Sequence, residues 1–182
     1  MLTRLFRQSD IPREYRANFL HLYLDIGWFG VVSGSAINFL NIYAARLGAS
    51  ALQIGLIGAV AAAISLLIAI PAGRWVAERN TGQAVFWSSV FYRLGYALWI
   101  PLPWLFNAQG QIWALIVITF LMAIPLTPLG VGFNALFAEA VPSEYRAHVA
   151  GTRNMVLSVA FMASSLACGY ILKAVQFPTG YQ

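Results

Sequence analysis

Charge is scarce in this chain, with Asp, Glu, Lys and Arg making up 9 % of its 182 residues, against roughly a quarter in an average soluble domain. Apolar residues account for 60 %, a balance that excludes an ordinary soluble surface and points to a bilayer as solvent. Lysine is nearly missing, since Lys173 stands alone and every other basic residue is arginine. The single cysteine, Cys168, lies inside an apolar run, which excludes an internal disulfide and a thiolate metal cluster. Two histidines, His21 and His148, fall on different runs and make no metal site. Also missing are H-E-x-x-H, G-x-S-x-G, the P-loop and G-x-G-x-x-G. No catalytic residue, cofactor or metal is therefore expected, and the chain does not read as an enzyme. The formal charge of +5 comes from arginines at the ends of apolar runs rather than from a patch interleaved with aromatics, so nucleic acid is not an expected partner.

What the sequence does have is length in its apolar runs. A hydrocarbon core of about 30 Å takes roughly 20 helical residues, and stretches at 17–44, 51–76, 83–106, 111–138 and 147–174 reach that length. The expected fold class is all-α, a polytopic membrane helix bundle of about five transmembrane helices. A basic segment at 1–16 precedes the bundle at 17–175, and a tail at 176–182 follows it. The first run is too long for the apolar part of a signal peptide and should be retained. Linkers reading "RLGAS", "ERNTGQ", "FNAQGQ" and "VPSEYR" carry turn and capping residues, and connections this short make neighbouring helices antiparallel.

Arginine placement predicts orientation. Arg4, Arg7, Arg13, Arg16, Arg74, Arg79, Arg146 and Arg153 share one side, against Arg46 and Lys173 on the other, and the positive-inside rule puts the richer side in the cytoplasm. The N-terminus is then cytoplasmic, in a bacterial inner membrane, with the tail outside. "MLTRLFRQSD" either lies along the headgroups or forms a solvated basic tail.

At about 100° per residue, His21 and Trp28 fall within about 60° of Asp25 on the first helix. Gly27, Gly30, Gly34, Asn38 and Asn41 fall on the opposite side. Gly30-x-x-x-Gly34 is the small-residue spacing that lets helix backbones approach. The second helix repeats it with Ala51, Gly55, Ala59 and Ala63, and the fifth with Ala160, Ser164 and Cys168. These stripes predict tight helix packing. In "AIPLTPLGVG", Pro125 and Pro128 remove backbone donors, a break that either lines a watery pathway or forms a static kink repaired by neighbours.

Asp25 lies nine residues beyond Arg16, and Arg93 ten beyond Gln83, which puts both roughly 13–16 Å into the membrane. Ionisable residues at that depth are costly and mark functional sites by default. A carboxylate taken out of water holds a proton more readily, and a nearby arginine opposes this. The candidate proton or substrate pathway is therefore His21, Asp25, Asn38, Asn41 and Arg93. The alternative is a static buried pair of Asp25 and Arg93 that holds the bundle in register.

The order of features resembles the N-terminal half of a major facilitator superfamily transporter. The resemblance is carried by the arginine-rich start, the "RLGAS" turn at Arg46 to Ser50, "LQIGLIGA" opening the second helix, and "VPSEYRAHVAGTRN" entering the fifth. In "AGRWVAERNTGQ", Arg74, Glu78 and Arg79 resemble the family's cytoplasmic gating linker. Arg74 stands where the family has its first glycine, and Gly82 is displaced by one. The resemblance implies six helices per half, two halves, and a small solute bound between them. The chain is thus expected to be part of a secondary-active permease or exporter that meets its missing C-terminal helices. The rival expectation is a structural subunit that docks on a partner membrane protein. In either case the lipid bilayer is a partner.

Overall fold

The computed structural model describes residues 13–175. The basic segment before Arg13 and the tail after Val175 lie outside the described residues. Among the described residues, seven α-helices follow in order: α1 (Arg13–Val32), α2 (Asn38–Arg46), α3 (Ala51–Ala77), α4 (Thr81–Ala97), α5 (Leu102–Leu105), α6 (Ala108–Ala140) and α7 (Arg146–Ala174), with a π-helical turn, Ser33–Ile37, joining α1 to α2. No strand occurs among the described residues. The fold is an all-α bundle.

Among the described residues, four helical stretches are long and apolar enough to cross a membrane: Tyr15–Arg46 (most of α1, the π-turn and α2 together), α3, α6 and α7. The chain is an integral membrane protein. The stretch expected at 83–106 behaves differently, because α4 spans only 17 residues and a short turn, then the four-residue α5, follow it. Pro101 and Pro103 are the reason. Neither can donate to a helical ladder, and a residue before proline avoids the helical region. The helix end tightens into three-residue closures, with Leu98 donating to the Gly95 carbonyl and Trp99 to that of Tyr96.

The linkers use the chemistry their residues suggested. In "RLGAS", Gly48 takes φ 89°, the left-handed geometry that glycine adopts without strain. Gly48 and Ala49 donate to the carbonyls of Ala45 and Ala44, closing α2. Ser50 and Gln53 then cap each other reciprocally at the start of α3. Asn80 accepts from the Gln83 amide and Asn107 from that of Gly110, which start α4 and α6. Arg146 reaches back to the carbonyls of Val141 and Ala138 at 3.0 and 2.7 Å, so the last turn of α6 and the first of α7 are tied together.

Packing divides the helices into two groups, α1 with α7 and α6 with both α3 and α4. The contact of α1 with α7 is close, and glycine makes it possible. A Cβ on Gly30 would stand 2.8 Å from the Ala160 Cβ and 2.9 Å from the Leu157 carbonyl, and one on Gly34 would overlap Ser164 and the Phe161 carbonyl. Ser165 donates to the Gly34 carbonyl at 2.8 Å and accepts from the Asn38 amide at 3.3 Å. The two groups join at their ends through two apolar clusters. One gathers Leu40, Tyr43, Ala44, Ile57, Ile112 and Leu115; the other gathers Phe19, Leu22, Val141 and Val149. Between those clusters the interface is hollow.

Candidate functional site

The hollow contains a cleft of about 720 Å³ with walls from α1, α4, α6 and the N-terminal part of α7. The size falls within the usual range for small-molecule sites, about 300–1,000 Å³. Asp25 projects into it from α1 and Arg93 from α4, with Arg93 Nη2 donating to Asp25 Oδ1 at 2.7 Å. The match in depth and the bundle geometry bring these two side chains together. They are not in a packed core, because 50 % of the Arg93 side chain and 44 % of the Asp25 side chain are left uncovered by the rest of the protein. The pair bridges two helix groups that otherwise barely touch at this level. It acts as a strut across an open cleft.

His21 lines the same cleft one turn from Asp25. Asn38 and Asn41 do not. Asn38 binds Ser165 on α7, and Asn41 is exposed and lines neither this cleft nor the second cavity. The 100° phase already put both on the side away from Asp25, and Asn38 stays with the glycines against α7 despite the π-turn at Ser33–Ile37. The proline segment of α6 does contribute, through Leu126, Leu129 and Gly130, while α6 itself stays one helix from Ala108 to Ala140. There Thr127 bonds back to the Ala123 carbonyl at 3.0 Å and lies 3.2 Å from the Ser65 hydroxyl of α3.

Arg153 is the residue that the sequence reading used only as a topology marker. It lines the cleft from α7, within electrostatic reach of Asp25. Its guanidinium sits 4.4 Å from the Phe133 ring centroid and 5.7 Å from that of Phe137. Its Nε–H is buried and finds no hydrogen-bond partner among the described residues. The available signal was depth, for Arg153 lies seven residues, two helical turns, beyond Arg146 at the start of α7. One carboxylate therefore faces two guanidiniums.

The linker residues behave independently of the cleft. Arg79 folds back on its own helix, donating to the Trp75 carbonyl at 3.1 Å with its guanidinium 4.5 Å from the Trp75 ring. Arg74 lies in the last turn of α3, and Glu78 caps that helix through its backbone. Nearby, the Thr81 hydroxyl and Glu139 carboxylate lie 3.4 Å apart between α4 and α6.

A second cavity, about 390 Å³, opens toward the other end of the bundle between Phe39, Tyr43, Trp99, Leu115, Cys168 and Leu172. Cys168 thus faces a cavity instead of extending the α7 stripe against α1. Tyr92 lines the cleft and Tyr96, one turn on, lines the second cavity; their hydroxyls are hydrogen-bonded to each other. No group of His, Cys, Asp and Glu able to hold a metal occurs among the described residues. Compared with family models, curated proteins and solved structures, the chain finds no match.

Proposed function

We propose that the chain is the N-terminal part of a secondary-active transporter of the major facilitator type, moving a small solute across a bacterial inner membrane with its N-terminus in the cytoplasm. The observation that carries this reading is the Asp25–Arg93 pair, which spans a cleft between two helix groups at the level where neither packs on the other. A structural ion pair recovers its desolvation cost only where surrounding groups satisfy its remaining hydrogen bonds. This one faces open volume. A proton on Asp25, or a solute group competing for Arg93, cancels the attraction and frees the groups to move apart. Alternating access needs such a change between rocking bodies. Arginine asymmetry supports the orientation, and the family resemblance supports the class.

The test is flux. In proteoliposomes containing the protein in its native reading frame, one member of a panel of small solutes should collapse an imposed proton gradient. Asp25→Asn should abolish that coupled flux while sparing solute exchange. Restored expression in Asp25→Asn with Arg93→Gln, with unchanged flux in both variants, would show the pair to be structural.

One observation favours the second reading, a structural subunit. Ala51, Gly55, Ala59 and Ala63 of α3 are all exposed, and nothing lies within 4 Å of a Cβ placed on Gly55. A subunit should co-purify with another membrane protein and show no flux with any solute.

A further inference from the structure

The charges lining the cleft do not balance. Arg93 and Arg153 stand against Asp25 alone, and His21 can only add positive charge. An uncompensated guanidinium inside a membrane protein is expensive, and chains that keep one have a use for it or a counter-ion for it. Arg153 is held ready for such use. Its guanidinium lies over the Phe133 ring, and its buried Nε–H has no acceptor among the described residues. A guanidinium presents paired donors in a rigid fork that matches a carboxylate or related oxyanion.

Away from the arginines the walls are apolar, with Leu22, Ile26, Phe29, Phe86, Leu126 and Leu129 lining the same volume. From this juxtaposition we infer that the cleft binds an amphipathic organic monoanion, its anionic head between Arg153 and Arg93 and its apolar body against the α1, α4 and α6 walls. The head competes with Asp25 for Arg93, so solute binding and the release of the strut become one event. This inference rests on the transporter reading for its physiological role, but the binding site itself can be tested without flux.

Three matched photoprobes separate charge from shape: para-benzoylbenzoate, the neutral para-benzoylbenzamide and the cationic para-(aminomethyl)benzophenone. With purified protein in nanodiscs of zwitterionic lipid, the carboxylate should label cleft residues of α1, α4 or α6, and neither analogue should do so at equal concentration. Arg153→Gln should weaken carboxylate labelling roughly tenfold, the loss of one charge-assisted hydrogen bond. Equal labelling by all three probes, or carboxylate labelling outside the cleft, overturns the inference. If Arg153→Gln does not fold, the three-probe comparison on the unaltered protein decides the matter. Anion labelling without flux would defeat only the transporter reading, whereas flux of a cation or neutral solute without preferential anion labelling would defeat only this one.

Discussion

On α1 and the π-turn that follows it, Gly27, Gly30 and Gly34 follow small-residue spacing and are filled by Val156, Ala160 and Ser164 of α7. On α3, Ala51, Gly55, Ala59 and Ala63 follow the same spacing and are exposed, with nothing among the described residues within 4 Å of a Cβ on Gly55. The difference lies in the partner. Helix association in lipid depends on close packing and interhelical hydrogen bonds rather than on a hydrophobic drive, so a stripe of small residues works only opposite a surface of matching relief. The α7 helix offers Ala160 and Ser164 at the same spacing, and Ser165 adds a hydrogen bond to the Gly34 carbonyl. The opposite side of α3 packs on α6 instead, through Ile57, Ala72 and Val76 among its buried residues. A small-residue pattern is thus an invitation to pack, and its acceptance is a property of the neighbour.

The largest expected effect in this comparison is at Gly34. Gly34→Ala forces a methyl into Ser164 and the Phe161 backbone, which cannot yield without separating α1 from α7, and should cost about 3 kcal/mol. Thermal unfolding of the detergent-solubilised protein reads this as a large fall in Tm; an unchanged Tm would mean the pair is not packed this closely. A smaller loss is expected from Ser165→Ala, about 0.6 kcal/mol, the average for interhelical hydrogen bonds in membranes, and at most about 1.7 kcal/mol. It should leave Asn38 without its acceptor. The smallest is at Gly55, where Gly55→Ala meets no atom and should gain about 0.5 kcal/mol from the lower backbone entropy of the unfolded chain. Gly55→Leu sharpens the point: the isolated chain should unfold as before, while any complex that uses the α3 stripe should come apart. A Tm loss from Gly55→Leu comparable with that at Gly34 would erase the distinction between the two stripes.

The cleft shows the same division between what a sequence displays and what a fold selects. Asp25 and Arg93 were recognisable as candidates because charge is rare and depth can be counted from helix ends, and they meet at 2.7 Å. Asn38 and Asn41 shared a computed face with the glycines, away from Asp25, and Asn38 keeps to it by bonding Ser165 of α7 where those glycines pack, so polar character alone put neither in the cleft. Arg153 passed as a boundary residue because the positive-inside rule counts arginines near helix ends without asking which way they point. Its place over Phe133 depends on α6 and α7 lying side by side.

By itself the sequence determined the solvent, the helices and their turns, because these depend on properties local to a few residues. Apolar length sets a span, glycine closes α2 at Gly48, and serine and asparagine cap the helices that follow. Apolar length alone ran the third span to residue 106 and passed over Pro101 and Pro103, which end α4 early. Only the tertiary structure decided which stripe is filled, which arginines share one carboxylate, and where the bundle stays hollow. Those outcomes depend on pairs of surfaces far apart in the chain, and in a membrane no bulk hydrophobic force selects among them; the fit of one relief to another does.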